Sequence, residues 1–372
     1  MEPIRDTKAI AFYLPQYHPI PENDEWWGKG FTEWTNVTKC KPGFPGHYQP
    51  HLPADLGFYD LRLPEAREAQ AALARQFNIH GFCYYHYWFN GRRILERPFG
   101  DVLASGNPDF PFCLCWANEN WTRAWDGMER EILLKQTYDS TDDLAHIRYL
   151  SHAFADHRYI RVGGKPLFAV YRASRLPNPK RTTDIWRQEA ERLGIGDLYL
   201  CCVESIEGEQ RNPMELGFDA AIEFAPDWSC LGPLVGTGRF DCWISRLIAY
   251  KKFFLSNRVY EYDELVRRML AKPKPNYIRH RCVTPSWDNS SRRKKHAVVI
   301  VNSTPEKYSR WLSQVIKDTL AHGHAPLVFI NAWNEWAEGN HLEPCQRWGR
   351  SYLEATLNAT TKHEARSKRV LG

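Results

Sequence analysis

The stretch Phe329-Ile330-Asn331-Ala332-Trp333-Asn334-Glu335-Trp336-Ala337-Glu338-Gly339-Asn340-His341-Leu342-Glu343-Pro344 decides how the chain is read. The apolar run from Pro326 to Ile330 predicts a buried strand. It breaks at once into Asn, Trp and two carboxylates three residues apart. A strand that discharges polar and aromatic side chains at its C-terminal end marks the active edge of an α/β fold. If the chain turns helically there, Glu335 and Glu338 share one face with Cβ atoms about 5–6 Å apart. That is close to the roughly 5–5.5 Å carboxyl separation of retaining glycoside hydrolysis. Trp333 and Trp336 flank the pair and offer flat apolar faces suited to a sugar ring.

Working back towards the N-terminus, other short apolar runs end in the same way. Lys8–Leu14 leads into Pro15-Gln16-Tyr17-His18, and Ile79–His86 into Tyr87-Trp88. Phe112–Trp116 leads into Ala117-Asn118-Glu119-Asn120, and Pro166–Tyr171 ends at Arg172. Leu198–Val203 ends at Glu204, Asp219–Glu223 at Phe224, and Arg281–Pro285 at Ser286-Trp287-Asp288. With Pro326–Ile330 these make eight strands, most followed by a helical pattern: Glu65–Phe77, a helix capped by Thr141 and running to about Asp156, Thr183–Leu193, Thr304 to about His322, and Ser351–Thr360. Eight strands alternating with helices predict one (β/α)8 TIM barrel, with long βα loops, over residues 1–372. Residues 225–279 are irregular and read as an insertion after strand six, with helices near Trp243–Phe254 and Tyr262–Leu270. The Trp- and Gly-rich loop up to Pro53 is too long to be a plain connector. A doubly wound sheet lacks support, because no Gly-rich first turn is present.

Composition narrows the function. The chain has 372 residues, 43% of them hydrophobic, and a net charge of only +5, which argues against nucleic acid as the main partner. The basic run Arg292-Arg293-Lys294-Lys295 reads as a solvated loop. With 15 Trp, 18 Tyr and 18 Phe, many beside Asn, Glu, His and Gly, the pattern suggests a carbohydrate cleft. Of 10 Cys, Cys83, Cys113, Cys115, Cys201, Cys202 and Cys282 lie in apolar runs and are expected as buried free thiols. No paired CxxC motif points to zinc, and neither a metal nor another cofactor is expected. The absence of a signal-like segment and of an 18-residue apolar run predicts no membrane span and a cytoplasmic address.

Several motifs together resemble the WbsX family: Ala11-Phe12-Tyr13-Leu14-Pro15-Gln16-Tyr17-His18-Pro19, Gly30-Phe31-Thr32-Glu33-Trp34-Thr35-Asn36-Val37, Tyr84-Tyr85-His86-Tyr87-Trp88-Phe89, Trp116-Ala117-Asn118-Glu119-Asn120-Trp121 and Trp333-Asn334-Glu335-Trp336-Ala337-Glu338-Gly339. Those proteins are often labelled glycosyltransferases of polysaccharide gene clusters. They are similar to glycoside hydrolase family 99, which has a (β/α)8 barrel and acts on α-mannosides. The resemblance implies that Glu335 is the base that draws a sugar 2-hydroxyl into attack, and Glu338 the general acid. Asn340-His341 departs from the Thr that commonly follows the family 99 motif.

Other candidates keep alternatives. Glu119 is a second carboxylate, a sugar ligand, or a structural acid paired with Arg123. Glu33 is structural or substrate-binding. Glu204 and Glu223 either line the pocket or brace the barrel mouth. His18, Trp34, Trp88, Asn118, Arg172, Trp287, Asp288, Trp333 and Asn334 complete the expected substrate-binding set. A meeting of His18, Glu119 and Asp288 at a metal is not established by their spacing. The expected partner is an oligosaccharide or polysaccharide, and the expected activity is glycoside hydrolysis. The rivals are a glycosyltransferase or transglycosylase, which lacks a visible phosphate loop or Asp-x-Asp, and an inactive carbohydrate-binding barrel, which the paired glutamates disfavour.

Overall fold

The computed structural model describes residues 7–123, 128–206, 209–235, 253–293, 295–321 and 325–370. Eight parallel strands close into a barrel: β1 Lys8–Tyr13, β2 Gly81–His86, β3 Phe112–Trp116, β4 Lys165–Val170, β5 Tyr199–Glu204, β6 Ala220–Glu223, β7 Arg279–Val283 and β8 Leu327–Ile330. Neighbours in the chain are neighbours in the barrel, and β8 pairs back onto β1 with Ile10 opposite Phe329. Such a sheet is covered on both faces, so its strands read as near-continuous apolar runs. β5 is buried along its whole length.

Helices follow the strands: α1 Pro64–Gln76, α2 Arg97–Ser105, α3 Ser140–Phe154, α4 Pro179–Arg192, α5 Tyr262–Leu270, α6 Pro305–Ala321 and α7 Ser351–Val370. Among the described residues between β5 and β6 the one helical element is a 3-10 turn, Pro213–Leu216. The expected helix starts shift in two places. α3 is capped by Asp139, whose side chain accepts from the backbone N–H groups of Thr141 and Asp142, so Thr141 is already inside the helix. α4 begins at Pro179, capped by Asn178, about a turn before the expected start.

The 225–279 segment carries α5 and a strand, Arg258–Glu261, which pairs with Val298–Val301 beside the barrel. Of the helix expected near Trp243–Phe254, residues 243–252 lie outside the described residues. The six cysteines of the apolar runs are buried and unpaired.

Inside the barrel mouth, aromatic rings form a floor. Phe12 packs on Tyr85, Phe224 and Phe329 with centroids 5.6–5.9 Å apart, and Tyr171 packs on Phe224 at 5.5 Å. Among the described residues no helix is long and apolar enough to cross a membrane.

Candidate active site

After β8 the chain makes a tight hairpin. Asn334 and Glu335 pair antiparallel with His341 and Asn340, and Trp336–Glu338 form the 3-10 turn between them. Gly339 closes the turn at φ +56°, where a side chain is strained. A Cβ there would also lie 2.9 Å from Cβ of Asp288.

The hairpin is held from three sides. Asn334 brackets the end of β1: its Oδ1 accepts from Leu14 N at 2.7 Å and its Nδ2 donates to Leu14 O at 3.0 Å. Tyr17 donates its hydroxyl to Asn334 O and accepts from Trp336 N. The Trp336 indole N–H donates to Glu343 at 2.6 Å, and its ring stacks on His341 with centroids 3.7 Å apart.

One guanidinium organises the carboxylates. Arg292 donates from Nη1 to Glu338 Oε1 at 2.6 Å and from Nη2 to Glu335 Oε2 at 2.9 Å. Glu33 Oε2 lies 3.1 Å from the same Nη2. Burial pushes the Glu335 carboxyl up to about 8, with Glu338 and Glu33 raising it further and Arg292 opposing. Glu338 and Glu33 are likewise raised, in each case first by burial, and Arg292 opposes both shifts. Three buried carboxyls around one cation cannot all ionise cheaply, so the cluster retains a proton near neutrality. Glu33 is fully buried, whereas the Glu338 side chain is 20% exposed and is the route to solvent.

Arg292 was not foreseen as a site residue; its basic run was expected to be solvated. It follows the 3-10 turn Asn289–Ser291, which Asp288 caps by accepting from Ser290 N at 2.9 Å. Asp288 in turn accepts from His47 Nε2 at 2.6 Å. The other ring nitrogen of His47 accepts from Gly43 N, which fixes the tautomer. Burial pulls the Asp288 carboxyl up, but the His47 contact and other hydrogen bonds leave it below its ordinary value. Ser291 donates to Ala337 O and Ser286 to Gly339 O, stitching this loop to the hairpin. A signal was present in the sequence: three acids converging on one mouth demand a cation, and a strand-seven tip rich in Arg supplies it.

The remaining expected residues fall into separate groups. His18 is buried, pulled down to about 4 by burial, with Nδ1 3.1 Å from Pro15 O. Asn118 brackets the Arg172 backbone at 2.8 and 2.9 Å, and Arg172 pairs with Glu119 and Glu209. Asn118 and Glu119 line a cavity of about 580 Å3 that includes Tyr138 and Arg175. Glu204 accepts from Tyr277 at 2.7 Å, and Glu223 from Arg281 at 2.7 Å, so both brace the barrel wall. His18, Glu119 and Asp288 are thus engaged separately. Among the described residues no group of three or more His, Cys, Asp or Glu side chains could hold a metal ion.

The tryptophans expected as sugar platforms are packing residues here. Trp333 and Trp336 are 0% and 1% exposed. Trp34 donates to Tyr59 O and packs on Tyr17 and Trp336. Trp88 donates to Asp142 and stacks on His146 with centroids 4.8 Å apart. Trp287 is buried edge-on to Trp228. Large rings beside the barrel mouth gain more from burial than from facing water.

A family model described as glycosyltransferase WbsX matches residues 9–356. The chain belongs to the WbsX family. It is also 44% identical over 355 residues to an uncharacterized protein WxcX of Xanthomonas campestris pv. campestris strain B100, and equally to its counterpart in strain ATCC 33913. The match covers 95% of this chain and 49% of each relative, so this WbsX barrel spans about half the length of the curated relatives it matches. Among solved structures, a GH99 endo-alpha-mannosidase from Bacteroides thetaiotaomicron, in complex with bis-tris-propane, aligns over 96% of this chain and 98% of its own, with TM-score 0.58 and 15% identity. A glycoside hydrolase-like protein aligns over 97% and 95%, with TM-score 0.58 and 14% identity. At these identities the likeness shows that the WbsX barrel shares their fold.

Proposed function

We propose that the chain is a glycoside hydrolase that cleaves a microbial polysaccharide or glycan, with Glu335 and Glu338 as its proton-transfer pair. The supporting observation is that both carboxyls project from one short hairpin onto the two terminal nitrogens of a single guanidinium. Cleavage requires one group to protonate the departing oxygen and a second to serve as base or nucleophile. A carboxyl held up to about 8 keeps a proton at neutral pH and can act as the acid. Burial raises both carboxyls, so the proton is shared by the Glu335–Glu338 pair. The resemblance to family 99 implies Glu338 as the acid and Glu335 as the base. Arg292 bonds both groups, so a sugar that displaces either contact moves the proton between them.

The test separates the roles. Purified protein is incubated with microbial polysaccharides and the products are read by NMR; released saccharide is the expected result. On an aryl glycoside, whose leaving group needs no protonation, loss of the acid is tolerated and loss of the base is not. Glu335→Gln and Glu338→Gln should therefore diverge on that substrate while both fail on the natural one. Full activity of either variant on polysaccharide removes that residue from the mechanism.

Transfer of the sugar to another saccharide is the second reading, favoured by the family description. The same two carboxyls would activate an acceptor hydroxyl instead of water. Calorimetry with UDP- and GDP-sugars discriminates, since tight nucleotide binding supports a nucleotide-dependent transferase.

A further inference from the structure

A cavity of about 670 Å3 lies beside the carboxylate cluster. It touches the supports of the cluster at Asp288 and Gly339, and its wall runs from His51 and Tyr48 to Trp348 and to Ser303-Thr304 at the start of α6. Its volume is ordinary for a small-molecule site. Neither Glu335 nor Glu338 is among its lining residues.

The charged groups on this wall differ in one respect. Asp288 is held by His47, Glu261 takes the Asn302 amide at 2.8 and 3.0 Å, and Lys307 pairs with Asp263 at 2.7 Å. The Arg347 guanidinium has no hydrogen bond or ion pair to any of the described residues. Its side chain is exposed and lies against two rings, with the guanidinium carbon 5.0 Å from the Tyr48 ring centroid and 5.1 Å from that of Trp348. A guanidinium resting against aromatic rings presents a planar fork of donors, here without an acceptor, which matches a carboxylate or phosphate.

His51 adds a group of opposite character. His341 Nδ1 lies 2.9 Å from Glu343 O, and a carbonyl can only accept, so that nitrogen carries the proton. His341 Nε2 therefore accepts from His51 Nδ1 at 2.9 Å. The Tyr48 backbone carbonyl also accepts from the His51 ring, and with the ring proton on Nδ1 the Nε2 lone pair is left as an acceptor on a residue that is only 6% exposed and lines the cavity. A hydroxyl group satisfies such an acceptor.

We infer that this cavity is a second carbohydrate site that takes an acidic sugar, with Arg347 binding its carboxylate or phosphate and His51 accepting from a ring hydroxyl. The assignment rests on the reading that the chain acts on glycans.

The test is calorimetry on the full chain carrying Glu335→Gln, so that turnover does not consume the ligand. Three probes are used: a hexuronic acid tetrasaccharide, a neutral tetrasaccharide of the same length, and a hexose 6-phosphate. An acidic probe should bind more tightly than the neutral one. Arg347→Met, which keeps an apolar stem beside the rings, should weaken it about tenfold, with Arg347→Lys intermediate. Preference for the uronic acid or for the phosphate identifies which anion the site reads. Equal affinity for acidic and neutral probes, or an acidic affinity unchanged in Arg347→Met at wild-type melting temperature, overturns the site. Charge-dependent binding in a chain that releases no product from any glycan would keep the site and remove the hydrolase reading. Turnover without acid preference would do the opposite.

Discussion

Arg292 lies 2.6 Å from Glu338 and shares its other terminal nitrogen with Glu335 and Glu33. A cation buried among three acids does not serve stability first. Its desolvation is costly, and the return depends on every partner staying in place. Arg292→Met should therefore cost about 3–5 kcal/mol at pH 7, the range for breaking a buried ion pair by removing one partner. The loss should shrink at pH 5, where the orphaned carboxyls take up protons. Urea unfolding at the two pH values measures both.

The raised carboxyl of Glu335 gives stability a definite slope. Its folded value of about 8 lies above the ordinary 4.5, so the folded state binds the proton more tightly than the unfolded state. That contribution is complete below about pH 4.5 and is lost as pH rises towards 8. The melting temperature of the wild type should fall across this window, and Glu335→Gln should flatten the fall. Because Glu335 and Glu338 titrate together, the slope belongs to the pair. An unchanged slope in Glu335→Gln would place the proton elsewhere.

Gly339→Ala tests the contact between the hairpin and the loop that carries Arg292. It combines φ +56° with a Cβ 2.9 Å from Cβ of Asp288. A cost of about 1–3 kcal/mol is expected, together with a drop in kcat as the Asp288 turn is displaced. Gly91→Ala is the control, since it also has positive φ but open space around it. It should lose stability without losing kcat.

Trp88→Phe distinguishes packing from sugar stacking. It removes one buried hydrogen bond to Asp142, worth about 1 kcal/mol directly and more if the carboxylate is left unsatisfied. Stability should fall while KM stays the same. A large rise in KM with intact stability would return Trp88 to the glycan.

The barrel was legible because most of its strands are buried along nearly their whole length and lead into polar residues at the mouth. The polar tip of the eighth strand with Glu335 and Glu338 was legible for the same reason, whereas the antiparallel hairpin that carries them, in place of a plain helical turn, was not. Arg292 and His47 were not, because their roles depend on contacts 43 and 241 residues away along the chain. Local composition around Arg292 resembles any solvated basic loop. The tryptophans misled for a related reason: a Trp beside Asn and Glu in sequence fits a cleft, yet Trp88 spends its N–H on Asp142 and its ring on His146. The Asp139 cap of α3 was hidden by an equally suitable Thr141 two residues on.

The bracket that Asn334 places on Leu14 spans 320 residues. Its consequence is one of timing. While the polypeptide is still emerging from the ribosome, β1 must wait for nearly all the rest of the barrel before it meets the residue that completes its end. Neither Glu335 nor Glu338 has a fixed position until that late encounter, so the carboxylate cluster around Arg292 assembles only once the final strand of the barrel is in place.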